Sequence, residues 1–149
     1  MRAVVQRVRT ARVAVGAEVI SEMGAGLLAL IGVGRADTSE SARELARRIV
    51  GLRIFNDDHD RMNRSLLDTG GTLGVVSQFT LFGDARHGKR PSYVKACPAE
   101  QAAPLVEAVV EAAQELGASV VTGRFHAEME VSLVNSGPVT ILLDTEKVF

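Results

Sequence analysis

Three polar residues interrupt the clearest strand-like segment of the chain, Leu73–Phe82. They are Ser77, Gln78 and Thr80. Because successive side chains of a strand point to opposite faces, Ser77 lies on one face and the other two lie on the opposite face. A buried polar side chain costs roughly 1–3 kcal/mol unless it is paired. Either these residues are satisfied at the rim of a sheet, or the strand ends in a site where hydroxyls and backbone N–H groups converge on a substrate carbonyl.

A second segment of interest, Asn135–Thr140, lies between two strand-like runs, Met129–Val134 and Val139–Leu143. Its Asn, Ser, Gly and Pro residues favour a tight hairpin loop. Gly137 and Pro138 also place two carbonyls with little side-chain cover next to each other. A cis bond, found for only about one X-Pro bond in twenty, would turn both carbonyls to the same side. The composition predicts a hairpin and leaves a function for its carbonyls open.

The charge distribution is uneven, although the net charge is only −1. The first seventeen residues carry four arginines and no acid, and a second basic stretch from Ala85 to Ala99 carries Arg86, Lys89, Arg90 and Lys95. The net charge gives no global basic surface for nucleic acid. Two local patches could nevertheless meet phosphates, or they could be ordinary solvated side chains.

Other familiar sites are not indicated. The three histidines are widely separated, at positions 59, 87 and 126, and the single cysteine, Cys97, cannot supply a zinc set. The Asn56–Asp60 segment lacks the glycine and glutamate positions of a calcium loop, so we interpret it as a polar turn. No nucleophile elbow and no P-loop is present. The sequence therefore predicts neither a metal nor a cofactor.

The elements predict one α+β domain over residues 1–149, with a mainly antiparallel sheet curled toward a barrel and two helices. Predicted strands are Met1–Val8, Thr10–Val15, Glu18–Met23, Leu27–Val33, Leu52–Phe55, Leu73–Phe82, Ser119–Thr122, Met129–Val134 and Val139–Asp144. No apolar run approaches the roughly 18 residues of a membrane span. Early arginines exclude a signal peptide, and one cysteine suits the cytoplasm.

The first predicted helix follows the capping signature of Asp37–Glu40 and ends at Gly51. Its predicted buried face is Ala42, Leu45, Ala46, Ile49 and Val50. The second helix is predicted to begin near Gln101–Ala103, because proline is tolerated only in the first turn. Its predicted buried face is Leu105, Val109, Ala112, Ala113 and Leu116.

Both unusual segments resemble signatures of one enzyme family. Ser77–Leu81, followed by Gly83-Asp84, Arg86 and Gly88–Ser92, is similar to the central signature of D-aminoacyl-tRNA deacylases, and Asn135–Thr140 is similar to their second signature. Supporting matches are Met1–Val8, Leu52–Phe55, Met62-Asn63, Ser65–Asp68 and Thr122–Phe125. The resemblance covers essentially the whole chain.

This resemblance implies hydrolysis of the ester that joins a D-amino acid, or mischarged glycine, to the terminal adenosine of tRNA. It implies a homodimer in which a cis Gly137-Pro138 bond is inserted into the partner's site. Ser77, Gln78, Phe79 and Thr80 would form the pocket floor. Phe125 and Met129 would hold the adenosine, and Arg7 would orient the Gly-Pro carbonyls.

The chemistry can also be considered from the residues. An enzyme that accepts many side chains must recognise handedness at the α-carbon, and two rigid carbonyls could bind the ammonium and exclude an L side chain. Backbone N–H groups near Phe79 and Thr80 could hold the oxyanion, an effect worth ~3–4 kcal/mol per donor. No base is evident, so we hypothesise that the ribose 2′-hydroxyl helps to activate water while Thr80 positions the substrate. The alternative is Thr80 as the nucleophile.

The loop with Arg86, Lys89 and Arg90 is predicted to contact acceptor-end phosphates. Two other functional classes stay open. One is a non-catalytic tRNA- or RNA-binding module with the same basic loops. The other is a hydrolase of a different small ester or amide, which would act on substrates without RNA.

Overall fold

A single long strand, β1 (Arg2–Val15), organises the sheet. Along one edge it pairs antiparallel with β8 (Glu130–Asp144) over nearly its whole length. Along the other edge its first half pairs antiparallel with β3 (Gly26–Gly32) and its second half with β2 (Glu18–Met23). A tight turn at Gly16-Ala17 joins β1 to β2 as a hairpin, with Gly16 at φ +57°.

The remaining strands extend the sheet with parallel pairing. Strand β3 pairs parallel with β6 (Thr72–Ser77), and β6 pairs parallel with β7 (Ser119–Thr122). Cα atoms of β2 and β7, at opposite ends of this path, approach within 8 Å. The mixed sheet is therefore nearly closed into a barrel, which confirms the predicted α+β class and the curled sheet. Antiparallel pairs predominate because β1 has three antiparallel partners.

The computed structural model describes all 149 residues. The other elements are α1 (Ser39–Gly51), β4 (Phe55–Asn56), β5 (Met62–Arg64), α2 (Leu66–Thr69), a 3₁₀ turn (Phe79–Phe82) and α3 (Ala99–Glu115). Strands β4 and β5 form a separate two-stranded sheet. The one-turn helix α2 was not predicted, because four residues are too few to show helical periodicity. Its cap is nevertheless a full capping box, between Ser65 and Asp68.

Helix α1 agrees closely with its prediction. The Thr38 side chain accepts from the Ser41 N–H at 3.4 Å, and the Ser41 hydroxyl accepts from the Thr38 N–H at 3.2 Å. All five predicted core residues are buried, and Leu45 is 0% exposed. The signature Asp37–Glu40 therefore located the start of the helix correctly. The residues that form the capping box differ from the signature, because Thr38 is paired with Ser41 rather than with an acidic residue.

Helix α3 begins two residues before the predicted start, with Pro98 as its N-cap and Pro104 inside it. Val109, Ala112 and Ala113 are buried as predicted, whereas the prediction for Leu116 is wrong, since it is 41% exposed. Leu116 lies at the C-cap, after the last residue of the helix. Helices α1 and α3 pack on each other and on one face of the sheet.

Two apolar clusters lie on opposite faces of the sheet. The larger cluster joins α1 and α3 to alternating residues of β1 and β3, such as Val5 and Leu27. The smaller cluster is Val8, Ala11, Val13, Leu28 and Val76, on the barrel interior. Together the two clusters pack against both faces of β6, and the site lies where β6 ends.

None of the helices has the length and apolar character that a membrane-spanning helix requires.

Candidate functional site

Strand β6 ends at Ser77, which pairs with Ile31 of β3. The Gln78 N–H still donates to the Ile31 carbonyl at 2.7 Å, and the chain then enters the 3₁₀ turn at Phe79. The predicted strand Leu73–Phe82 is thus wrong in its second half. Ser77 and Gln78 are half-buried and Thr80 is exposed. The polar residues therefore lie at the end of the strand rather than within the core.

This 3₁₀ turn presents backbone donors. The first N–H groups of a helical turn have no intrahelical acceptor, and here these belong to Phe79 and Thr80. The first N–H of the turn to donate back is that of Leu81, to the Gln78 carbonyl at 3.2 Å. Two adjacent N–H groups at the end of a rigid strand form a suitable oxyanion-binding pair.

Close packing holds this turn in place. A Cβ atom on Gly32 would lie 3.1 Å from the Gln78 carbonyl oxygen, and one on Gly34 would lie 2.9 Å from the Phe82 ring. The Arg2 guanidinium donates to the Leu81 carbonyl at 3.2 Å and lies 4.5 Å from the Phe82 centroid. Gly32 at the end of β3 and Gly34 just beyond it thus leave room for the turn, and Arg2 fixes its far end.

A pocket of about 540 Å³ opens at this strand end. Its lining includes all four predicted floor residues, Ser77 to Thr80, together with Phe125 and Met129. Twelve of its seventeen lining residues are hydrophobic. The structure therefore brings together the predicted floor and the predicted adenosine-binding residues, in a cavity large enough for a nucleoside.

The Thr80 hydroxyl has one hydrogen-bond partner, the Gln78 side-chain amide, with Nε2 donating to Oγ1 at 2.5 Å. A side-chain amide is not a base that could remove the hydroxyl proton, so this pairing does not activate Thr80 as a nucleophile. It does fix the orientation of the hydroxyl at the pocket floor. The contact with Gln78 therefore suits a Thr80 that positions a bound molecule rather than one that attacks it.

The pocket wall that includes Met129 depends on a glycine. A Cβ atom on Gly123 would lie 2.7 Å from the Met129 sulfur, so the absence of a side chain there lets Met129 reach its place in the wall. The following loop is anchored by Arg124, whose guanidinium donates to both carboxylate oxygens of Glu18 at 3.1 Å. That hydrogen-bonded pair lowers the pKa of Glu18.

Asn135–Thr140 is not a hairpin loop. Residues 130–144 form one continuous strand, β8, and both of its halves pair with β1. The register passes from Gln6↔Thr140 to Val8↔Asn135, so extra residues of β8 bulge outward between two paired halves. The predicted reversal failed because turn residues also suit a bulge. The predicted cis Gly137-Pro138 bond is confirmed.

Arg7 supports the bulge from beneath. Its Nε donates to the Ser136 carbonyl at 2.8 Å, and its Nη1 donates to the Ile54 carbonyl at 2.6 Å. Asn135 closes the base of the bulge, accepting from the Val139 N–H at 2.7 Å. Arg7 therefore holds the carbonyl that precedes the Gly-Pro pair.

Within one chain the two signatures do not meet. Gly137 and Pro138 are exposed, and no residue from 135 to 140 lines the pocket. The bulge therefore does not contribute to the pocket of its own chain.

The loop that carries Arg86, Lys89 and Arg90, here called the basic loop, is less positive than its composition indicates. Both side-chain oxygens of Asp84 accept from Arg86, which lowers the pKa of that carboxyl below its ordinary value. Asp84 lies just before the acid-free stretch, so the composition of that stretch did not reveal its pairing with Arg86. Lys89 and Arg90 are exposed, with no carboxylate within 4 Å.

Some pocket residues were missed by sequence reasoning. They are Cys97, His126 and Glu128. Only His126 has an unusual backbone, at φ +61°, and its sequence context gave no signal. No group of three or more His, Cys, Asp or Glu side chains is placed to hold a metal ion.

Comparisons with known proteins agree on one family. The model of the family described as D-Tyr-tRNA(Tyr) deacylase matches residues 4–144. The D-aminoacyl-tRNA deacylase of Symbiobacterium thermophilum is 52% identical over 149 residues, which cover 100% of this chain and 99% of that protein. The D-aminoacyl-tRNA deacylase of a Roseiflexus species is 57% identical over 145 residues, covering 97% and 94%.

A solved structure, named c-Myc DNA Unwinding Element Binding Protein, has a TM-score of 0.92 at 37% identity and covers 97% of this chain and 98% of its own. The family match and the relatives span nearly the whole chain, including both signature segments. The chain belongs to the D-Tyr-tRNA(Tyr) deacylase family.

Proposed function

We propose that this protein hydrolyses the ester bond of D-aminoacyl-tRNA, releasing the D-amino acid and free tRNA. The observation that carries the proposal is the pair of backbone N–H groups at Phe79 and Thr80, presented at the floor of a nucleoside-sized pocket. The full-length relatives that carry this activity in their names support it. A tRNA substrate also fits a cytoplasmic location.

In this mechanism the ester carbonyl oxygen lies against the two N–H groups. Water attacks the carbonyl carbon and gives up a proton through the ribose 2′-hydroxyl, and both N–H donors stabilise the oxyanion that forms. Collapse of this intermediate breaks the bond to the ribose 3′-oxygen, which takes up the proton as it leaves. The Thr80 hydroxyl is paired only with the Gln78 amide, which is not a base. We therefore assign assistance of the attacking water to the 2′-hydroxyl of the same ribose. Thr80→Ala is therefore expected to reduce turnover partially. Near-complete loss would instead indicate a nucleophilic Thr80.

Handedness is recognised by the bulge of a partner subunit in a homodimer. Gly137 and Pro138 are exposed and lie outside their own pocket, so their carbonyls can reach the pocket of a second copy. There they bind the substrate ammonium and crowd the face of the α-carbon where an L side chain would project. Glycine carries no side chain to exclude, so glycyl-tRNA is accepted.

A two-variant heterodimer tests this arrangement. Phe79→Pro removes a donor from the pocket, and Gly137→Ala places a Cβ atom 2.7 Å from Val139 at a backbone φ of +143°. Co-expression with two different tags yields a heterodimer in which one site is intact, so we expect about half the wild-type turnover per dimer. If pocket and bulge act within one subunit, each chain keeps one defect and no activity returns.

The loop that carries Lys89 and Arg90 contacts acceptor-end phosphates, with Arg86 contributing less because Asp84 holds it. Removing one cation that neutralises a phosphate should weaken the dependence of binding on salt concentration by about one unit of the log–log slope. Lys89→Ala and Arg90→Ala should therefore lower both the affinity and this slope. Unchanged values would exclude an interaction between this loop and the phosphates.

The deciding assay incubates the protein with matched D- and L-aminoacyl-tRNA. Loss of the D ester with retention of the L ester supports the proposal. A non-catalytic RNA-binding module would bind both and hydrolyse neither, and a general esterase would hydrolyse both or act on esters without RNA. Duplex DNA should be included as a binding control, because one solved relative is named for binding DNA.

A further inference from the structure

Two exposed aromatic rings lie together at the edge of the pocket. Phe79, which lines the pocket, is 58% exposed, and Tyr93 is 39% exposed. Their centroids are 5.1 Å apart, with an edge-to-face angle of 70°. The hydrophobic effect favours burying such rings, so a pair left in solvent beside a binding pocket indicates a contact surface.

The position of Tyr93 is fixed by the surrounding chain. A Cβ atom on Gly83 would lie 3.0 Å from the Tyr93 ring, so the glycine makes space for it. Just before Tyr93, Asp84 and Ser92 exchange two backbone hydrogen bonds of 2.8 and 2.9 Å, which close the basic loop. The Tyr93 carbonyl accepts from the Ala96 N–H at 2.9 Å. The ring is therefore held in place relative to the pocket.

Positive charge accompanies these rings. The loop that Asp84 and Ser92 close carries Lys89 and Arg90, both exposed and without an acidic partner within 4 Å. Aromatic rings beside cations that track a phosphate backbone are the usual means of binding single-stranded nucleic acid. A face for a second copy of this chain would not need the unpaired cations, which favour RNA as the occupant.

We propose that Phe79 and Tyr93 form a stacking platform for the unpaired nucleotides that precede the terminal adenosine of tRNA. The inference rests on the proposed function, which puts the adenosine in the pocket. The RNA strand must leave that pocket across its rim, and these rings form the rim next to the basic loop. Stacking recognises the face of a base rather than its edge, so it would serve every tRNA alike.

The test compares two substrates that differ only in the preceding nucleotides, D-aminoacyl-tRNA and 3′-D-aminoacyl-adenosine. Tyr93→Leu should raise KM for the tRNA by about tenfold, which is within the range measured when one base–aromatic stack is removed. Its KM for the adenosine ester should change less than about twofold, since that substrate has no base to place on the platform. Tyr93→Phe keeps an aromatic face and should retain the wild-type KM for the tRNA.

Other outcomes overturn the platform. Equal losses on both substrates would mean that Tyr93 only supports the pocket, and no loss on either would mean that Tyr93 does not touch the RNA. A shift to monomer in sedimentation for Tyr93→Leu would assign these rings to an interface between copies. If wild-type protein hydrolyses neither substrate, the proposed function itself fails, and that result is distinct from any of the above.

Discussion

Replacing Phe79 with proline removes the backbone N–H that we propose as one oxyanion donor, while leaving the backbone path intact. Proline is favoured at the first position of a helical turn, and Phe79 occupies that position. The residue before a proline must avoid the helical region, and Gln78 already has φ −147° and ψ 82°. The substitution should therefore fold normally and delete only the Phe79 N–H and ring.

The ring is accounted for by the matched variant Phe79→Ala, which keeps the N–H. Loss of one oxyanion donor costs about 2.7–4 kcal/mol, or 10²–10³ in kcat. We expect the kcat of Phe79→Pro on D-aminoacyl-tRNA, measured under single-turnover conditions, to be lower than that of Phe79→Ala by that factor. Both variants should show a similar increase in KM, because both lose the ring.

Far-UV circular dichroism and thermal unfolding of the two variants verify that the fold is retained. A kcat for Phe79→Pro within about threefold of that for Phe79→Ala would refute the oxyanion assignment, since loss of one such donor should cost 10²–10³. The catalytic contribution of this turn would then have to come from Thr80 or from side chains.

Three further predictions concern single interactions. Gly123→Ala should raise KM several-fold by displacing the Met129 sulfur, and it should have little additional effect in a Met129→Ala background, as a double-mutant cycle of KM would show. Leu45→Ala should lower the free energy of unfolding by about 2–5 kcal/mol in urea titrations, because the side chain is fully buried. Arg86→Ala should raise the pKa of Asp84 toward its ordinary value in a carboxyl NMR titration, since hydrogen bonds from Arg86 are what lower it.

Local sequence rules predicted the helices well and the strands less well. The face of α1 follows from a 3.6-residue repeat that needs no knowledge of partners, and all five residues are buried. The two predicted strands Met1–Val8 and Thr10–Val15 are one strand, because β1 changes partners from β3 to β2 without a break. That change is a property of the sheet and leaves little trace in the local sequence.

In the candidate site, too, features set by local sequence were predicted, whereas features that depend on the rest of the fold were not. The polar residues Ser77–Thr80 left two interpretations open, a sheet rim or a site at a strand end. The structure places them at the end of β6 and in the pocket, although the strand was predicted to continue to Phe82. The bulge at Asn135–Thr140 was mistaken for a reversal, because glycine and proline report local backbone angles but not the direction of the chain that follows. The neutralisation of Arg86 by Asp84 depends on side-chain rotamers, which composition does not encode.

The way the bulge is anchored bears on the entropy of substrate recognition. A free loop must be ordered when it binds, and each immobilised group then subtracts from the affinity. Here the strand pairs with β1 on both sides of the bulge, and Asn135 and Arg7 bond its interior. The conformational entropy is therefore lost during folding, before any substrate arrives. If the Gly137 and Pro138 carbonyls recognise the substrate as proposed, binding would not have to supply the entropy of ordering them.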